Sequence, residues 1–396
     1  MLSLLLGIGS IGAACRESNG PTTAVVTPAP SPAPQAADLP ADATLAPWRI
    51  ELLQLAFDSA SALPLAPHIK NRARAQAAVV AACLRLDQPR RAAQWLGAIP
   101  NWQRGLGAAD LAVWCAQHGA TAAVGALLAQ AEEVVVQVLA DPKEQGWRAE
   151  RIRSRCAEAI LLLDEATRLA LSQPTGGHEA LLAEIDKVLA AGDLEKMTAV
   201  LAQCTELYAQ HFKTAERRTQ AEDRIRNARV PATVRLDATV RLAEIALDHG
   251  EIGKAMALLD ELQPLVEGGT WLPEDHASMR ARLAVVRHRC GLRERARADL
   301  DVALREFESA RSKVNSVFLG LGHRPLAEAW ARCGDPVRAL AIFRQAVTDA
   351  VVNPNSRPRA EDLVATCLAM VFADVPPDAE LSTRMRQIAA GLADPW

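Results

Sequence analysis

The chain has 396 residues, and half of them are apolar, which is enough for a large hydrophobic core. Its 44 basic and 47 acidic residues give a net charge of −3 with both signs spread along the sequence, which excludes a strongly charged surface for nucleic acid or anionic membrane. The eight cysteines form no CxxC pair and fit no zinc spacing, so the sequence predicts no metal site.

The first apolar run contains the pattern Gly-x-Gly-x-x-Gly from Gly7 to Gly12, which is typical of dinucleotide-binding turns. Such a turn must open a helix, but five prolines lie between Pro21 and Pro34 and are incompatible with one. The sequence also lacks the acidic residue that should follow about 20 residues further on. We therefore interpret these glycines as part of another kind of segment, and we expect no cofactor.

Residues 1–15 have the properties of an export signal. Leu2–Ala14 is apolar and uncharged, is shorter than the about 20 residues that span a bilayer, and ends in small residues. Ile11–Cys15 resembles the signal of a bacterial lipoprotein, which implies that Cys15 becomes the lipid-modified N-terminus of a periplasm-facing envelope protein. A generic secretory signal and a buried N-terminal segment of a cytoplasmic protein remain alternatives.

Residues 16–47 form a Pro/Ala-rich segment, with seven prolines and almost no bulky apolar side chain. A chain of this composition buries too little surface to offset its conformational entropy, so we predict a disordered tether. Such a tether between a lipidated cysteine and a folded body suits a protein held at a membrane surface.

From residue 48 to 396 the sequence predicts helices, because Ala, Leu, Glu and Arg dominate and apolar residues recur at intervals of three and four. In Leu326–Ala346, Gly334 can adopt the left-handed conformation that ends one helix. Asp335 and Pro336 then suit the N-cap and first position of the next helix, and Ala339 is small where the two helices approach. This stretch resembles a tetratricopeptide repeat.

The same spacing recurs, with helix-ending turns near residues 87, 119, 192, 250, 291 and 334. These copies predict an all-α, right-handed superhelix of antiparallel helix hairpins over residues 48–396, with a C-terminal cap at 359–396. Between the third and fourth turns we expect one extended helix over residues 194–228. Most cysteines fall at one position of the repeat, where we expect small buried apolar residues, and we expect no later segment to span a membrane.

The sequence carries no motif of catalysis, because HExxH, GxSxG and the P-loop pattern are all missing. Arg-rich runs occur at 148–155, 216–229 and 287–297, and we interpret them as solvated helix faces with paired charges rather than as a nucleic-acid surface. We therefore expect no enzyme, no nucleic-acid partner and no small-molecule substrate.

In tetratricopeptide proteins the first helix of each hairpin lines a concave groove, at positions thirteen, ten, six and three residues before the turn glycine. The resemblance therefore implies a groove of mixed charge that binds a protein or peptide. Its polar members in the three best copies are Asp237, Glu244, Ser278, His288, Arg324 and Glu328. The alternative is that these are ordinary solvated residues.

These features predict a non-catalytic protein–protein interaction scaffold that is anchored in the bacterial cell envelope. Two other interpretations remain open. One is a cytoplasmic tetratricopeptide regulator or scaffold, which seven free thiols would favour. The other is the helical accessory part of an envelope enzyme that acts on peptidoglycan.

Overall fold

The computed structural model describes residues 39–142, 144–163 and 178–396. The signal segment with Cys15 and residues 16–38 of the predicted tether lie outside these ranges.

The described residues form seventeen α-helices and contain no strand, and successive helices pack as neighbouring pairs. The predicted all-α solenoid class is therefore confirmed. In chain order the helices are α1 (Pro47–Ala62), α2 (Ile69–Arg85), α3 (Pro89–Leu96), α4 (Gln103–Gln117), α5 (Thr121–Ala140), α6 (Gly146–Leu161), α7 (His178–Ala191), α8 (Leu194–Gln210), α9 (Ala215–Asn227), α10 (Ala232–Asp248), α11 (Ile252–Gly268), α12 (Pro273–Arg289), α13 (Arg293–Ala310), α14 (Leu319–Arg332), α15 (Pro336–Ala350), α16 (Ser356–Ala373) and α17 (Ala379–Ala390).

The predicted helix-ending turns are confirmed. The backbone φ angle is positive at all five turn glycines, from 74° at Gly119 to 91° at Gly291, and Asp87 adopts the same region at 54°. Glycine tolerates this region because it has no Cβ to meet the following carbonyl oxygen. The predicted N-cap is also present, since a carboxylate oxygen of Asp335 accepts a hydrogen bond from the Arg338 amide at 3.0 Å.

Residues five, nine and twelve positions after each turn form the core between paired helices. In the last of the six copies they are Ala339, Phe343 and Ala346, and none of the three is exposed to solvent. Six of the seven cysteines in the described ranges are buried, as expected, and burial raises the pKa of the Cys83 thiol to about 12. The other core positions are Ala92, Leu96, Ile99, Val124, Leu128, Ala131, Met197, Leu201, Cys204, Ala255, Leu259, Leu262, Ala296, Leu300 and Ala303, all buried.

The two ends of the helical array meet. Helix α1 packs along α16 and touches α17, and α2 also touches α16. Arg49 forms an ion pair with Asp374 at 2.6 Å, and the Asn71 amide donates to Glu361 at 2.5 Å. The C-terminal pair within the predicted cap therefore covers the first helices of the described chain.

The even-numbered helices form a continuous inner layer. Each contacts the next even-numbered helix from α2 to α6 and from α8 to α16, and α16 contacts α2. Between α6 and α8 the link is polar, since Arg155 pairs with Glu206 at 3.1 Å and Gln210 donates to Glu158 at 2.9 Å. The helices thus close into a ring whose inner faces converge on a common interior.

The expected extended helix over residues 194–228 is wrong, because the chain turns at residues 211–214 between α8 and α9. Phe212 lies at the break. Its side chain is buried, stacks on the His249 ring at a centroid distance of 4.1 Å and meets the Tyr208 ring edge-on at 5.5 Å. Tyr208 and Phe212 are four residues apart and would also be neighbours in a continuous helix, so the long-range contact that accompanies the break is the one with His249.

The expectation that no later segment is apolar enough to span a membrane is also wrong. Helix α5 has 20 residues and a mean hydropathy of 1.5 in its most apolar window, so it satisfies both length and composition. In this structure α5 packs against α4 and α6 and contributes eight buried residues to the core.

Candidate functional site

An open cavity of about 500 Å³ lies between the inner-layer helices α2, α14 and α16 and is called here the central cavity. Many of the side chains that α2 and α16 direct at the cavity are alanines. Because these side chains are small, they leave the space between the two helices open. The lining residues are Ala78, Ala81, Ala82 and Arg85 of α2, Leu321, Arg324, Pro325 and Glu328 of α14, and Ala365, Leu368, Ala369 and Phe372 of α16.

Arg324, one of the predicted groove residues, lines the cavity but is held by an internal partner. Its guanidinium donates to Asp362 at 2.6 Å, and the side chains of Arg324 and Asp362 are only 8% and 10% exposed. Burial raises the pKa of the Asp362 carboxyl, and the attraction of Arg324 opposes that rise. Gly320 lies beneath the guanidinium, and a side chain there would overlap Arg324 and Asp362.

Glu328, a second predicted groove residue, also lines the cavity. Its carboxylate pairs with Arg332 at 3.5 Å across one helical turn. Burial raises the pKa of Glu328, while the positive charges of Arg332, Arg324, Arg85 and Arg282 act in the opposite direction. This carboxylate therefore shares one electrostatic environment with guanidinium groups from three helices, α2, α12 and α14.

Asp237 and Glu244 both lie on α10, and each forms an ion pair with an arginine. Asp237 accepts a hydrogen bond from Arg282 of α12, and Glu244 pairs with Arg241 at 3.2 Å. Burial and the positive charge of Arg332 lower the pKa of Arg282. Although neither residue lines the central cavity, Glu244 attracts Arg85, and Arg282, the partner of Asp237, attracts Glu328.

Ser278 and His288 stand apart from this group. Both are half-buried on α12, and neither lines the central cavity. Burial lowers the pKa of His288, and Arg293 and Arg297 of α13 lower it further. The structure thus brings Arg324 and Glu328 together and places Glu244 within the same electrostatic environment. Asp237 is connected to this environment only through Arg282, and Ser278 and His288 lie outside it.

Arg85 and Phe372 are site residues that the sequence analysis missed. The Arg85 guanidinium lies over the Phe372 ring at 3.8 Å from its centroid. Burial lowers the pKa of Arg85, and the positive charges of Arg241 and Arg332 lower it further. Arg85 precedes its turn residue by two positions and so falls outside the four positions that the repeat resemblance selects. The only sequence signal was the shared helical face of Ala78, Ala81 and Arg85.

The Arg-rich runs carry the expected acidic partners, although most partners lie on other helices. Arg155 of the first run donates to Asp110 at 2.6 Å and also contacts Glu158 and Glu206. The second and third runs show the same arrangement in the pairs Arg224–Asp186, Arg226–Glu261, Arg287–Asp299 and Arg289–Asp248. These arginines join neighbouring helices of the array.

A titratable cluster of His323, Asp349 and Glu308 lies outside the central cavity. The two ring nitrogens of His323 lie 2.7 Å from Asp349 and 2.7 Å from Glu308. His323 and Asp349 are fully buried, whereas the Glu308 side chain is 45% exposed. Because the three residues lie on three helices, we interpret the cluster as a link between α13, α14 and α15. Within the described ranges, no three His, Cys, Asp or Glu side chains are grouped so as to hold a metal ion.

No protein-family model, no curated protein and no solved structure matches this chain. The fold defines the class as a closed array of helix hairpins, and the function is inferred from the geometry of the ring interior.

Proposed function

We propose that this protein is a non-catalytic scaffold that holds a segment of another protein in its central cavity. The observation that carries the proposal is the cavity itself, a concave space of about 500 Å³ with an apolar wall and a few charged groups at its edge. Sites of this size and composition bind ligands because the wall gains from losing water and the charged groups fix orientation.

The rest of the interior supports recognition rather than chemistry. The carboxylates of Asp237, Glu244 and Glu328 are neutralised by arginines, and Arg324 is neutralised by Asp362. An arginine partner favours the ionised form of a carboxylate and so opposes its action as a general acid. A preformed surface of paired charges beside an apolar wall suits a protein or peptide ligand.

Two finer assignments belong to the same proposal. The repeats are tetratricopeptide units with lengthened helices, and Cys15 is the lipidated residue that anchors the protein in the bacterial envelope. The seven free cysteines favour the cytoplasmic alternative. Burial nevertheless raises the thiol pKa of Cys156, Cys204 and Cys333, which keeps these thiols protonated and slow to oxidise in a periplasm.

A photo-crosslinking experiment tests the binding surface. Benzoylphenylalanine replaces Leu321, which lines the cavity and is 43% exposed, or Val337, which is 80% exposed at the start of α15. We expect the full-length protein in its bacterial host to crosslink a partner from position 321 and not from position 337. Equal yields from the two positions, or none from position 321, would contradict the proposal.

Membrane fractionation with mass analysis of the mature N-terminus tests the anchor. We expect the wild-type chain in the membrane fraction with a lipid-modified Cys15, and the Cys15→Ser variant with its first residues intact. A wild-type chain that is soluble and retains Met1 would support the cytoplasmic alternative instead.

A further inference from the structure

Five arginines line the central cavity or act on the charges of its lining residues. Four of them have a carboxylate partner, and Arg85 has no hydrogen-bond acceptor and no carboxylate within 4.0 Å among the residues that the structure describes. The four pairs are Arg324–Asp362, Arg332–Glu328, Arg282–Asp237 and Arg241–Glu244. The five arginines and four carboxylates leave one positive charge in excess, and it belongs to Arg85.

The environment of Arg85 explains why this charge stays available. One face of the guanidinium is covered by the Phe372 ring at 3.8 Å, while the N–H groups at its edge donate to no group in the described part of the chain. Glu328 and Glu244 attract the guanidinium from a distance, but neither forms an ion pair with it, because they pair with Arg332 and Arg241.

The apolar wall of the central cavity begins beside this guanidinium. Phe372 and Leu368 lie one turn apart on α16, and Leu321 faces them from α14. A partner segment that fits both features carries a carboxylate next to a bulky apolar side chain. A basic segment would instead meet an uncompensated guanidinium, which costs free energy in a partly desolvated cavity.

We propose that Arg85 anchors a Glu or Asp side chain of the partner segment, whose neighbouring apolar side chain packs against Phe372 and Leu368. This proposal rests on the proposed function and specifies the chemistry of the partner. Arg324 does not take this role, because it is buried and its hydrogen bonds are directed to Asp362. Glu328, at the same edge of the cavity, repels a second carboxylate and so limits the segment to one anchored acid.

Fluorescence anisotropy with three blocked, labelled peptides tests the proposal on the full-length chain. The first peptide has the centre Leu-Glu-Leu, the second replaces Glu by Gln, and the third replaces both Leu residues by Ser. We expect the first peptide to bind more tightly than the other two. In Arg85→Gln we expect its affinity to fall about tenfold, the size of one hydrogen bond to a charged group, while the Gln peptide binds as before.

Two further variants sharpen the test. Arg305→Gln removes an exposed arginine of α13 that has no ion pair and does not line the central cavity, and it should bind all three peptides like the wild type. Arg85→Glu should prefer a fourth peptide, with the centre Leu-Lys-Leu, over the Leu-Glu-Leu peptide. Circular dichroism checks that each variant is folded, which we expect because Arg85 donates no hydrogen bond within the described chain.

The outcomes separate this proposal from the function it rests on. Equal losses in Arg85→Gln and Arg305→Gln, or equal wild-type binding of the Glu and Gln peptides, would overturn the role of Arg85. If crosslinking from position 321 captures a partner and Arg85→Gln leaves the yield unchanged, the scaffold function stands and the acidic anchor is wrong. If position 321 captures nothing and the peptides bind regardless, the anchor stands and the scaffold function is wrong.

Discussion

Removing one member of the buried Arg324–Asp362 pair should destabilise the protein strongly. Asp362→Ala leaves the Arg324 guanidinium, on a side chain that is 8% exposed, without its carboxylate at 2.6 Å. Breaking a buried pair in this way costs about 3–5 kcal/mol. We expect a value near the lower end, because Glu328 also attracts Arg324 and can compensate in part. Replacing both partners, as in Arg324→Met with Asp362→Leu, should restore most of the stability since no charge is left buried.

Urea unfolding followed by far-ultraviolet circular dichroism measures these free energies, and the double-mutant cycle isolates the pair. The matched control is the Arg241–Glu244 pair, in which the arginine side chain is 55% exposed, so each single alanine variant should cost about 1 kcal/mol or less. A coupling below about 0.5 kcal/mol for Arg324–Asp362 would refute the reasoning, because the pair would then behave like an exposed salt bridge.

Three other variants test the turns, the titration of the cavity and the closure of the ring. Gly334→Ala should lower the free energy of unfolding by about 1–2 kcal/mol because φ is 85° there. Gly253→Ala, at an exposed position in the first turn of α11, should be neutral or stabilising in the same urea unfolding experiment. Because burial raises the pKa of Glu328, the native chain binds a proton at this carboxylate more tightly than the unfolded chain does. The stabilisation from this proton is present at low pH and is lost as the pH rises through the native pKa of Glu328. Glu328→Gln should therefore make stability fall less steeply with pH, and an unchanged slope would contradict this assignment. Met370 of α16 is fully buried, and Met370→Ala should cost about 2–5 kcal/mol of stability. If the ring is closed, this substitution should increase native-state hydrogen exchange in α1 and leave α10 protected. An increase in exchange that is confined to α14–α17 would argue against closure.

The repeat could be predicted because its signals are local. Gly334 marks a turn that few other residues allow, and Asp335 and Pro336 start the next helix within two positions. Phe343 follows at a fixed helical spacing. Each of these properties depends on a few neighbouring residues, so the sequence alone was enough to place the hairpins and their buried positions.

The break at Phe212 and the role of Arg85 could not be predicted in this way. The ring of Phe212 packs on His249, which lies in another helix pair and comes much later in the chain. Arg85 becomes a cavity residue only because α16 brings Phe372 against it, and nothing in α2 indicates that contact. The resemblance to tetratricopeptide repeats pointed to the inner helices, and two of its six polar positions line the cavity. The other cavity residues depend on contacts between helices that are far apart in the sequence, which local patterns do not indicate.

If the central cavity binds a partner segment as proposed, ring closure and recognition are coupled in this fold. In an open repeat array each hairpin contacts only its neighbours, so a groove in the middle does not depend on the ends. Here the cavity wall combines α2 with α14 and α16, and α2 meets α16 through the Asn71–Glu361 hydrogen bond and the stacking of Arg85 on Phe372. A segment bound to both walls binds the closed ring better than any opened form and stabilises it as its concentration rises. The linkage is reciprocal, so any substitution that opens the contact between α2 and α16 weakens binding by the same factor by which binding strengthens closure.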